Sequence, residues 1–572
     1  MTNTAPFPIQ ITVLDSLQKL LPEQSPPPSA GGFSAMRNEP FSFQIAYRLN
    51  DSQGDMLPFY PIIETDLPVS LYSVGYVPVL QTNIHDLDDH YRPGLLPDIL
   101  IPKRTNPRIC KEGFPWVAKH YEAHENNQLQ ATRDSWQALW LTINEKGTPL
   151  KAGNYTITVR LCARQSAQCV GEVHIHLQLI DALLPMQKLR YTNWFHCDCL
   201  CDTYGVTPFS ERFYEIFRSF ATSAARHGMN MILLPAFTPP LDTPFGKARM
   251  TVQLVDICYE NGVYRFDFTK MRRFIEESRK CGIRYFEHAH LFTQWGATAA
   301  PKIIATVNGQ PKQIFGWNTP ATCKRYNQFL HAYIPAVRAF FDSMKLGRKV
   351  LFHVSDEPGP TCAESYRAAK NSLGTLLDGC TVGDALSHYD FYADGTVQMP
   401  IVNTRACDEF IGRCRNWWAY YTGGEHQNGM SNRLINNTSE RNRMIGIALY
   451  YHNIQGFLHW GFNYYYDELS HGLFDPKLNP NGFNGACAGT SFSVYPATDG
   501  TALPSIRQKV FYEAINDMRA MQLLEKLTSR ETATALIERF YGKVTFSTPV
   551  ESREKLLSFR NALNAAIRAA IQ

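Results

Sequence analysis

Hydrophobic and polar positions alternate along the first third of the chain. Over residues 1–184, short segments rich in β-branched and aromatic residues are separated by Gly, Pro, Asn and Asp. Such alternation is typical of strands that bury one face of a sheet. We therefore predict an N-terminal β-sandwich over residues 1–184, with the turn-flanked segment KAGNYTITVRL (151–161) at a sheet edge. The other predicted strands are FSFQIAYRL (41–49), VSLYSVGYVPVL (69–80), WQALWLTINE (136–145) and EVHIHLQLI (172–180).

From residue 185 the pattern changes to short strands that are apolar on both faces, with helical stretches between them. Strands buried on both faces and alternating with helices are typical of parallel sheets. About eight such units fit residues 185–500, which predicts a (β/α)8 barrel of the TIM type. The predicted barrel strands are LRYTNWFH (189–196), MNMILLPAF (229–237), IRYFEHAHLF (283–292), KVLFHVSDEP (349–358), LSHYDFYA (386–393), MPIVNT (399–404), RNWWAYYT (415–422) and IQGFLHWGF (454–462).

Helix boundaries carry their own signals. The helix predicted within residues 208–228 has Ser210 as a suitable N-cap and Gly228 as a stop, and a second predicted helix ends at Gly282. Residues 501–572 place apolar positions three and four apart, which is the spacing of amphipathic helices. We expect this C-terminal helical segment to pack on the barrel, giving a multidomain protein.

Composition narrows the classes of partner. The chain is 44% hydrophobic and 19% charged, which is typical of a packed globular protein. Lys and Arg total 56 against 52 Asp and Glu, so the net charge of +4 predicts no general attraction to nucleic acid or anionic lipid. No uncharged apolar run reaches the ~18 residues that would predict a membrane span.

The N-terminus and the cysteines bear on the compartment. The first residues, MTNTAPFPIQITVLDSLQKLL, lack a basic region followed by an apolar run, so we expect no secretion signal. Without a signal, the 14 cysteines are expected to be reduced thiols in the cytoplasm.

The segment HCDCLCD (196–202) offers the one arrangement that suggests a metal. On a strand, Cys197, Cys199 and Cys201 would share a face and could ligate a soft ion. Zinc sites favour two-residue gaps paired with a second such motif, and no partner motif occurs. We therefore expect three buried thiols rather than a metal, and we predict no cofactor. Phosphate-binding glycine loops after a strand and a G-x-S-x-G elbow are also missing from the sequence.

The sharpest local signal is the segment HVSDEP (353–358), where an apolar strand ends in adjacent acids, Asp356 and Glu357. Barrel active sites are built at the C-terminal ends of the strands. Neighbouring side chains on a strand point to opposite faces, so both acids reach one pocket only if the chain leaves strand geometry, which Pro358 favours. Two such acids should repel, leaving one protonated and one charged. The alternative is an acidic turn that caps the next helix, with Glu357 in solvent.

Further polar and aromatic residues follow other predicted strands. Clefts that bind ring-shaped ligands combine an aromatic floor with polar side chains, and we expect Trp295, Trp418 or Trp460 to supply the floor. His353 is expected to be a hydrogen-bonded support rather than a proton donor. The candidate substrate-binding residues are Asp198, His290, Gln294, Trp295, Trp418, Tyr420, Trp460 and Asn463.

Several motifs in order carry a resemblance to a known family. The stretches YFEHAHLFTQWGA (285–297), VLFHVSDEP (350–358), GFLHWGFNYY (456–465) and SVYPATDGTALPSIRQKVFYEAINDM (493–518) resemble glycoside hydrolase family 123. The resemblance covers most of residues 187–525, and the β-rich N-terminal part is similar to that family's N-terminal domain.

The resemblance implies a retaining β-N-acetylgalactosaminidase-like enzyme that uses substrate assistance. By position, Asp356 would hold the N–H of the substrate's 2-acetamido group, whose carbonyl oxygen attacks the anomeric carbon and forms an oxazolinium ion. Glu357 would protonate the leaving oxygen and later deprotonate water, and Tyr420 could donate to the acetamido oxygen. The expected partner is an oligosaccharide or glycoconjugate.

Two alternatives stay open from the sequence. One is a β-glycosidase of other sugar specificity, and the other is a catalytically silent carbohydrate-binding protein on the same fold. The sugar epimer, the aglycone and the oligomeric state are likewise left open.

Overall fold

The fold is described from a computed structural model. It describes residues 7–28, 31–50, 54–81, 91–103, 129–425, 429–483, 485 and 487–572.

Two five-stranded sheets form the N-terminal part. One sheet has the order β1-β3-β8-β5-β6 and the other β2-β10-β9-β4-β7. Apolar side chains such as Phe43, Leu141, Ile157 and Leu177 are buried in one shared core, so the predicted sandwich is confirmed. The strands are β1 Ile9–Asp15, β2 Phe33–Met36, β3 Phe41–Leu49, β4 Met56–Glu64, β5 Val69–Val79, β6 Gly94–Lys103, β7 Leu129–Thr132, β8 Gln137–Ile143, β9 Gly153–Ala163 and β10 Cys169–Ile180.

The predicted edge position of KAGNYTITVRL is wrong. Strand β9 lies in the middle of its sheet, paired antiparallel with β10 on one side and with β4 on the other. Alternation reports that one face of a strand is buried. It does not report whether the strand is hydrogen-bonded to one neighbouring strand or to two. An inner strand and an edge strand therefore share the same pattern.

The predicted barrel is also confirmed. Eight parallel strands close in the order β11-β12-β15-β18-β19-β20-β21-β22, and the last strand pairs with the first. The elements of this part are β11 Arg190–Asn193, α1 Cys197–Tyr204, α2 Glu211–Arg226, β12 Met231–Leu234, β13 Asp256–Glu260, β14 Val263–Asp267, α3 Thr269–Cys281, β15 Tyr285–His288, β16 Ile303–Val307, β17 Gln310–Phe315, α4 Lys324–Ser343, β18 Val350–Phe352, α5 Ala363–Ser372, β19 Thr381–Leu386, α6 Asp390–Ala393, β20 Met399–Asn403, α7 Cys407–Phe410, β21 Trp418–Tyr420, α8 Ser439–Tyr451, β22 Gly456–His459, β23 Val494–Pro496 and β24 Ala502–Pro504.

The helix-end signals are borne out. The Ser210 side chain accepts a hydrogen bond from the Phe213 N–H at the start of α2. Gly228 follows that helix with a positive φ of 88°, and Gly282 ends α3 with φ 108°. Both backbone conformations favour glycine because it has no Cβ.

Two local predictions are corrected. Segment 386–393 is not a strand, because the fifth barrel strand is the preceding TVGDAL segment (381–386) and residues 390–393 form α6. The aromatic residues of 386–393 favoured a strand, while the Gly and Asp of the true strand concealed it. The cysteines of segment HCDCLCD lie in helix α1 rather than on a strand, so Cys197, Cys199 and Cys201 do not share one face. Gly205 ends this helix with φ 61°.

Two further features follow the barrel strands. Strands β13, β14, β16 and β17 form a separate four-stranded sheet of order β14-β13-β16-β17, which the sequence analysis did not predict. Three C-terminal helices, as predicted, follow the barrel. They are α9 Ile506–Leu527, α10 Arg530–Tyr541 and α11 Arg553–Ile571. Among the described residues, none of the helices combines the length and apolar character needed to span a bilayer.

A buried ion pair joins the sandwich to the C-terminal helices. Asp98 of β6 and Arg507 of α9 are both almost fully buried, and the guanidinium Nε lies 3.0 Å from the carboxylate. The Tyr495 hydroxyl also donates to Asp98, at 2.6 Å, and Arg507 donates to the Phe492 carbonyl at 2.8 Å. Because these charges are paired and hydrogen-bonded, they can be buried between the two parts of the fold.

We predict that Asp98→Ala lowers the free energy of unfolding by about 3–5 kcal/mol, because it leaves the Arg507 charge buried without its partner. The measurement is urea denaturation followed by tryptophan fluorescence. The matched control is Asp181→Ala, whose exposed carboxylate pairs with Arg37 at 2.8 Å and should cost under about 1 kcal/mol. Equal losses in the two variants would show that the Asp98 pair does not hold the parts together.

Candidate active site

The fourth barrel strand continues beyond β18 and then breaks. The N–H of Leu291 donates to the His353 carbonyl at 3.1 Å, so the segment after β18 stays beside the segment after β15. At Glu357 the backbone turns into the left-handed region, with φ 45°. This conformation costs a non-glycine residue about 1–2 kcal/mol, and it ends the strand's alternation. Asp356 and Glu357 consequently line the same cavity, as the sequence analysis expected of a broken strand.

The cavity lies at the C-terminal ends of the barrel strands and has a volume of about 210 Å³. Its inner end meets the apolar barrel core at Ala385 and Leu458. Its ionisable and polar side chains are Asp242, Arg249, Gln294, Asp356, Glu357, Tyr420, Thr422 and Thr490, together with His196. Its aromatic side chains, apart from Tyr420, are Trp194, Trp295, Trp460, Tyr464 and Phe483. Apolar walls with a few polar groups are typical of small-molecule sites.

The acid pair is electrostatically strained. Burial and the neighbouring Glu357 charge raise the pKa of Asp356 well above its usual range, although the His353 charge opposes them. Burial also raises the pKa of Glu357, against a hydrogen bond that the Tyr420 hydroxyl donates to its carboxylate. A second charge on the pair is therefore disfavoured, and the two acids tend to share one proton.

A buried triad lies beneath the acid pair. The His353 ring nitrogens are 3.0 Å from the Glu287 carboxylate and 3.5 Å from the Asp384 carboxylate. Burial disfavours the charged imidazole, but hydrogen bonds and attraction from Asp384 and Glu287 outweigh it and raise the pKa of His353 to about 9. His353 is therefore a fixed cation at neutral pH. Glu287 also accepts a hydrogen bond from the indole N–H of Trp194 at 3.0 Å, which orients one wall of the cavity.

A second buried ion pair shapes the opposite wall. Arg249 donates to both carboxylate oxygens of Asp198, at 2.5 and 2.7 Å. It also donates to His196 Nδ1 at 3.0 Å, while His196 Nε2 lies 2.8 Å from the Trp460 carbonyl. Burial and the Arg249 charge lower the pKa of His196 to about 3, so this imidazole is neutral. The guanidinium thus faces the cavity with its own charge already balanced.

Asp242 is the third carboxylate in the cavity wall. Its carboxylate accepts hydrogen bonds from the Tyr464 hydroxyl and from the Leu469 N–H, the latter at 3.1 Å. Its own backbone N–H donates to the Gln294 side-chain oxygen at 2.5 Å. These bonds hold the loop after β12 against the loop after β15, with a carboxylate and an amide facing the cavity together.

The structure separates the ten residues named from the sequence into two groups. The residues that line the cavity are Gln294, Trp295, Asp356, Glu357, Tyr420 and Trp460. The other four are buried and do not line the cavity; they are Asp198, His290, Trp418 and Asn463.

Each of these four residues has a supporting contact. Asp198 holds Arg249, and His290 stacks on His353 with ring centroids 4.6 Å apart. Asn463 accepts from the His196 N–H at 2.9 Å, which ties the loop after the last barrel strand to the segment after the first barrel strand. Trp418 fills the barrel core, where a Cβ on Gly456 would lie 2.2 Å from its ring. The alternation of side chains along a barrel strand tells which of them point into the barrel and which point towards the helices. It does not tell which of the inward side chains reach the cavity.

Sequence reasoning missed several residues of the wall, namely Trp194, His196, Asp242, Arg249, Tyr464 and Phe483. Trp194 and His196 stand at the end of the first predicted strand, so their strand-end position was a usable signal. Arg249 and Asp242 lie in the long loop after β12, and no local pattern marks them. Over the described ranges, no group of three His, Cys, Asp or Glu side chains is placed to hold a metal ion.

Comparison with protein families supplies the deciding observation. The model "Glycoside hydrolase 123, catalytic domain" matches residues 194–524, which is more than half of the chain. The chain belongs to glycoside hydrolase family 123. The match begins directly after β11 and covers the seven later barrel strands and both acids, so the resemblance noted in the sequence is confirmed. A comparison with curated protein sequences gives no match.

Comparison with solved structures agrees. The chain is similar to a family 123 glycoside hydrolase from Clostridium perfringens, studied for the details of glycolipid glycan hydrolysis, with TM-score 0.70 over 98% of each chain. At 11% identity this likeness shows the shared fold. A family 39 glycoside hydrolase from Bacteroides cellulosilyticus aligns with TM-score 0.32 and 11% identity over 68% of this chain and 74% of that one, which is too weak to bear on the fold.

We predict that Asp356→Asn stabilises the fold and that the gain grows with pH. The pKa of Asp356 is higher in the folded chain than in the unfolded chain, so the folded state binds an extra proton between the two values. Wild-type stability therefore falls as pH rises through that window, and the asparagine variant escapes this loss. Calorimetry should show a gain of about 1 kcal/mol at pH 8 that shrinks towards pH 5.

The control for this prediction is Asp134→Asn, which neutralises a well-exposed carboxylate. It should change stability little, and without the same growth with pH. A gain for Asp356→Asn that does not depend on pH would contradict the proposed repulsion.

Proposed function

We propose that the protein removes a terminal β-linked N-acetylhexosamine, N-acetylgalactosamine by family resemblance, with retention of anomeric configuration. The observation that carries this proposal is the adjacent acid pair facing one aromatic-walled cavity. Ordinary retaining glycosidases hold two carboxyl groups about 5–5.5 Å apart across the sugar ring. Neighbouring residues at one strand end suit a mechanism in which the substrate supplies the nucleophile instead.

Asp242 is the remaining carboxylate in the cavity wall, and its contacts argue against a nucleophilic role. Its Oδ2 atom accepts from both Tyr464 and Leu469, which fixes the side chain in the wall, while burial raises the pKa of its carboxyl above the usual range. A carboxylate held this way suits a hydrogen bond to a sugar hydroxyl. We assign it, with Gln294, to hydroxyl recognition, and we assign the Trp460 ring to the apolar face of the sugar.

In the proposed first step, the acetamido carbonyl oxygen attacks the anomeric carbon as the glycosidic C–O bond breaks. Asp356 accepts a hydrogen bond from the acetamido N–H, and Glu357 gives its proton to the leaving oxygen. The product of this step is an oxazolinium ion. In the second step water attacks the anomeric carbon, its proton returns to Glu357, and the amide is restored. Holding the nucleophile inside the substrate supplies much of the rate through effective molarity.

The electrostatics of the pair support this division of roles. Burial and the Glu357 charge favour a proton on Asp356, while Tyr420 donates to Glu357 and favours its ionised form. An acetamido N–H donated to Asp356 favours the ionised form of that acid instead. Substrate binding would then move the shared proton to Glu357, where the leaving oxygen needs it. A sugar without the acetamido group would not trigger this transfer.

We predict that Glu357→Gln lowers kcat on 4-nitrophenyl N-acetyl-β-galactosaminide by about 10²–10⁴-fold without loss of folding, because the group that protonates the leaving oxygen and then deprotonates water is gone. Glu364→Gln, an exposed acid on the following helix, is the matched control and should retain activity. Proton NMR of the wild-type reaction should show the β-anomer of the sugar as the first product. The matching galactoside, which differs only at carbon 2, should be hydrolysed far more slowly.

Three outcomes would redirect the proposal. Faster hydrolysis of the plain galactoside would favour a β-glycosidase without an acetamido requirement. Sugar binding without turnover would favour a silent carbohydrate-binding protein. An α-anomer as first product would rule out retention.

A further inference from the structure

Three large aromatic side chains on loops beside the cavity are not fully buried. Trp295 is 52% exposed, Phe245 is 78% exposed, and Trp317 is half-buried. The Phe245 and Trp317 rings contact each other, with centroids 5.4 Å apart. Trp295 lines the cavity, whereas Phe245 and Trp317 do not line it; Phe245 follows the lining residue Asp242 by three positions in the chain. We call these three side chains the aromatic rim.

Hydrogen bonds join the loops that carry the aromatic rim. The Asp242 N–H donates to the Gln294 side chain at 2.5 Å, which connects the Phe245 loop to the Trp295 loop. The Ala300 N–H donates to the Thr319 carbonyl at 2.9 Å, which connects the Trp295 loop to the Trp317 loop. The three rings therefore lie on loops that are tied to one another and to the cavity wall.

The backbone at Trp295 is strained. Trp295, Gly296 and Ala297 all have positive φ values, of 57°, 136° and 53°. A Cβ on Gly296 would lie 2.8 Å from the Cβ of Cys362, so the turn is pressed against its neighbour. The Trp295 N–H donates to the Asp356 carbonyl at 2.9 Å. A strained turn that holds an indole half in solvent beside the acid pair points to a binding role.

We propose that the aromatic rim binds the sugar residues on the leaving-group side of the bond that is cleaved. This inference rests on the proposed function, because it assumes that the terminal sugar occupies the cavity. The leaving sugar must then emerge at the mouth, where Trp295 is the first ring it meets. Phe245 and Trp317 continue the surface outward and suit the next sugar along.

The chemistry of the rim favours sugar over lipid. The apolar face of a pyranose matches a single aromatic ring, and its edge carries hydroxyls that need polar neighbours or water. The exposed residues beside the rings include Gly246, Lys247 and Asn318, which interrupt any continuous apolar surface. A lipid chain would require a wide unbroken apolar patch.

The test compares two substrates with the same terminal sugar. One is 4-nitrophenyl N-acetyl-β-galactosaminide, whose short aglycone can reach Trp295 alone. The other is a free trisaccharide that ends in β-N-acetylgalactosamine. We expect Phe245→Ala and Trp317→Ala each to lower the ratio of kcat/KM for the trisaccharide to kcat/KM for the aryl glycoside by about tenfold. Because Phe245 is mostly exposed, its truncation should leave folding intact.

The matched control is Met186→Ala. Met186 is 70% exposed and precedes the first barrel strand, at the opposite end of the barrel from the cavity. It should leave the substrate ratio unchanged. A binding measurement adds a second readout. In the Glu357→Gln background, Phe245→Ala should raise the dissociation constant of the trisaccharide by a similar factor.

The outcomes separate the rim from the proposed function. Hydrolysis of the aryl glycoside with unchanged ratios in both variants would overturn the rim alone. A loss seen only with the same glycan on ceramide in phosphatidylcholine vesicles, and not with the free trisaccharide, would overturn it in favour of lipid docking. A wild-type protein that neither cleaves nor binds either substrate would overturn the proposed function, and the rim with it.

Discussion

The site depends on one electrostatic constraint: two neighbouring carboxylates in one poorly solvated cavity cannot both carry charge at low cost. Asp356 and Glu357 face the same cavity because Glu357 leaves the strand in a left-handed conformation. The surrounding groups act on this shared proton. Tyr420 donates to Glu357 from the cavity side, and the charged His353 lies beneath Asp356. The arrangement costs stability, and it places side by side two acids of different protonation, as the proposed hydrolysis requires.

Rigid elements of the fold hold the two acids close together despite their repulsion. The pair closes the fourth barrel strand, and buried ion pairs hold the walls around it, as Arg249 does with Asp198. A similar buried pair, Asp98 with Arg507, joins the sandwich to the helices that follow the barrel. The rim of the cavity, by contrast, is built from loops. Barrel enzymes commonly divide chemistry and specificity in this way, with the reacting groups on strand ends and recognition on the loops.

A structural feature could be predicted from the sequence when the residues that determine it lie close together along the chain. The sandwich, the barrel and the acid pair were predictable because periodicity and a strand that ends in two acids are contained within short segments. The remaining wall was not, because Arg249 and Tyr464 reach the cavity from distant parts of the chain. Trp418 illustrates a third case: its strand was predicted, but whether its ring fills the barrel core or the cavity depends on neighbours such as Gly456.

The most direct test of the account is the protonation state of the acid pair at pH 7. Infrared difference spectra between wild type and the double variant Asp356→Asn, Glu357→Gln would isolate the carboxyl stretch of these two groups. Other protonated acids, such as Glu513, whose pKa burial raises to about 7, cancel in the difference. We predict one protonated carboxyl band in the wild type that disappears as pH rises. Two ionised carboxylates at pH 7 would contradict the account.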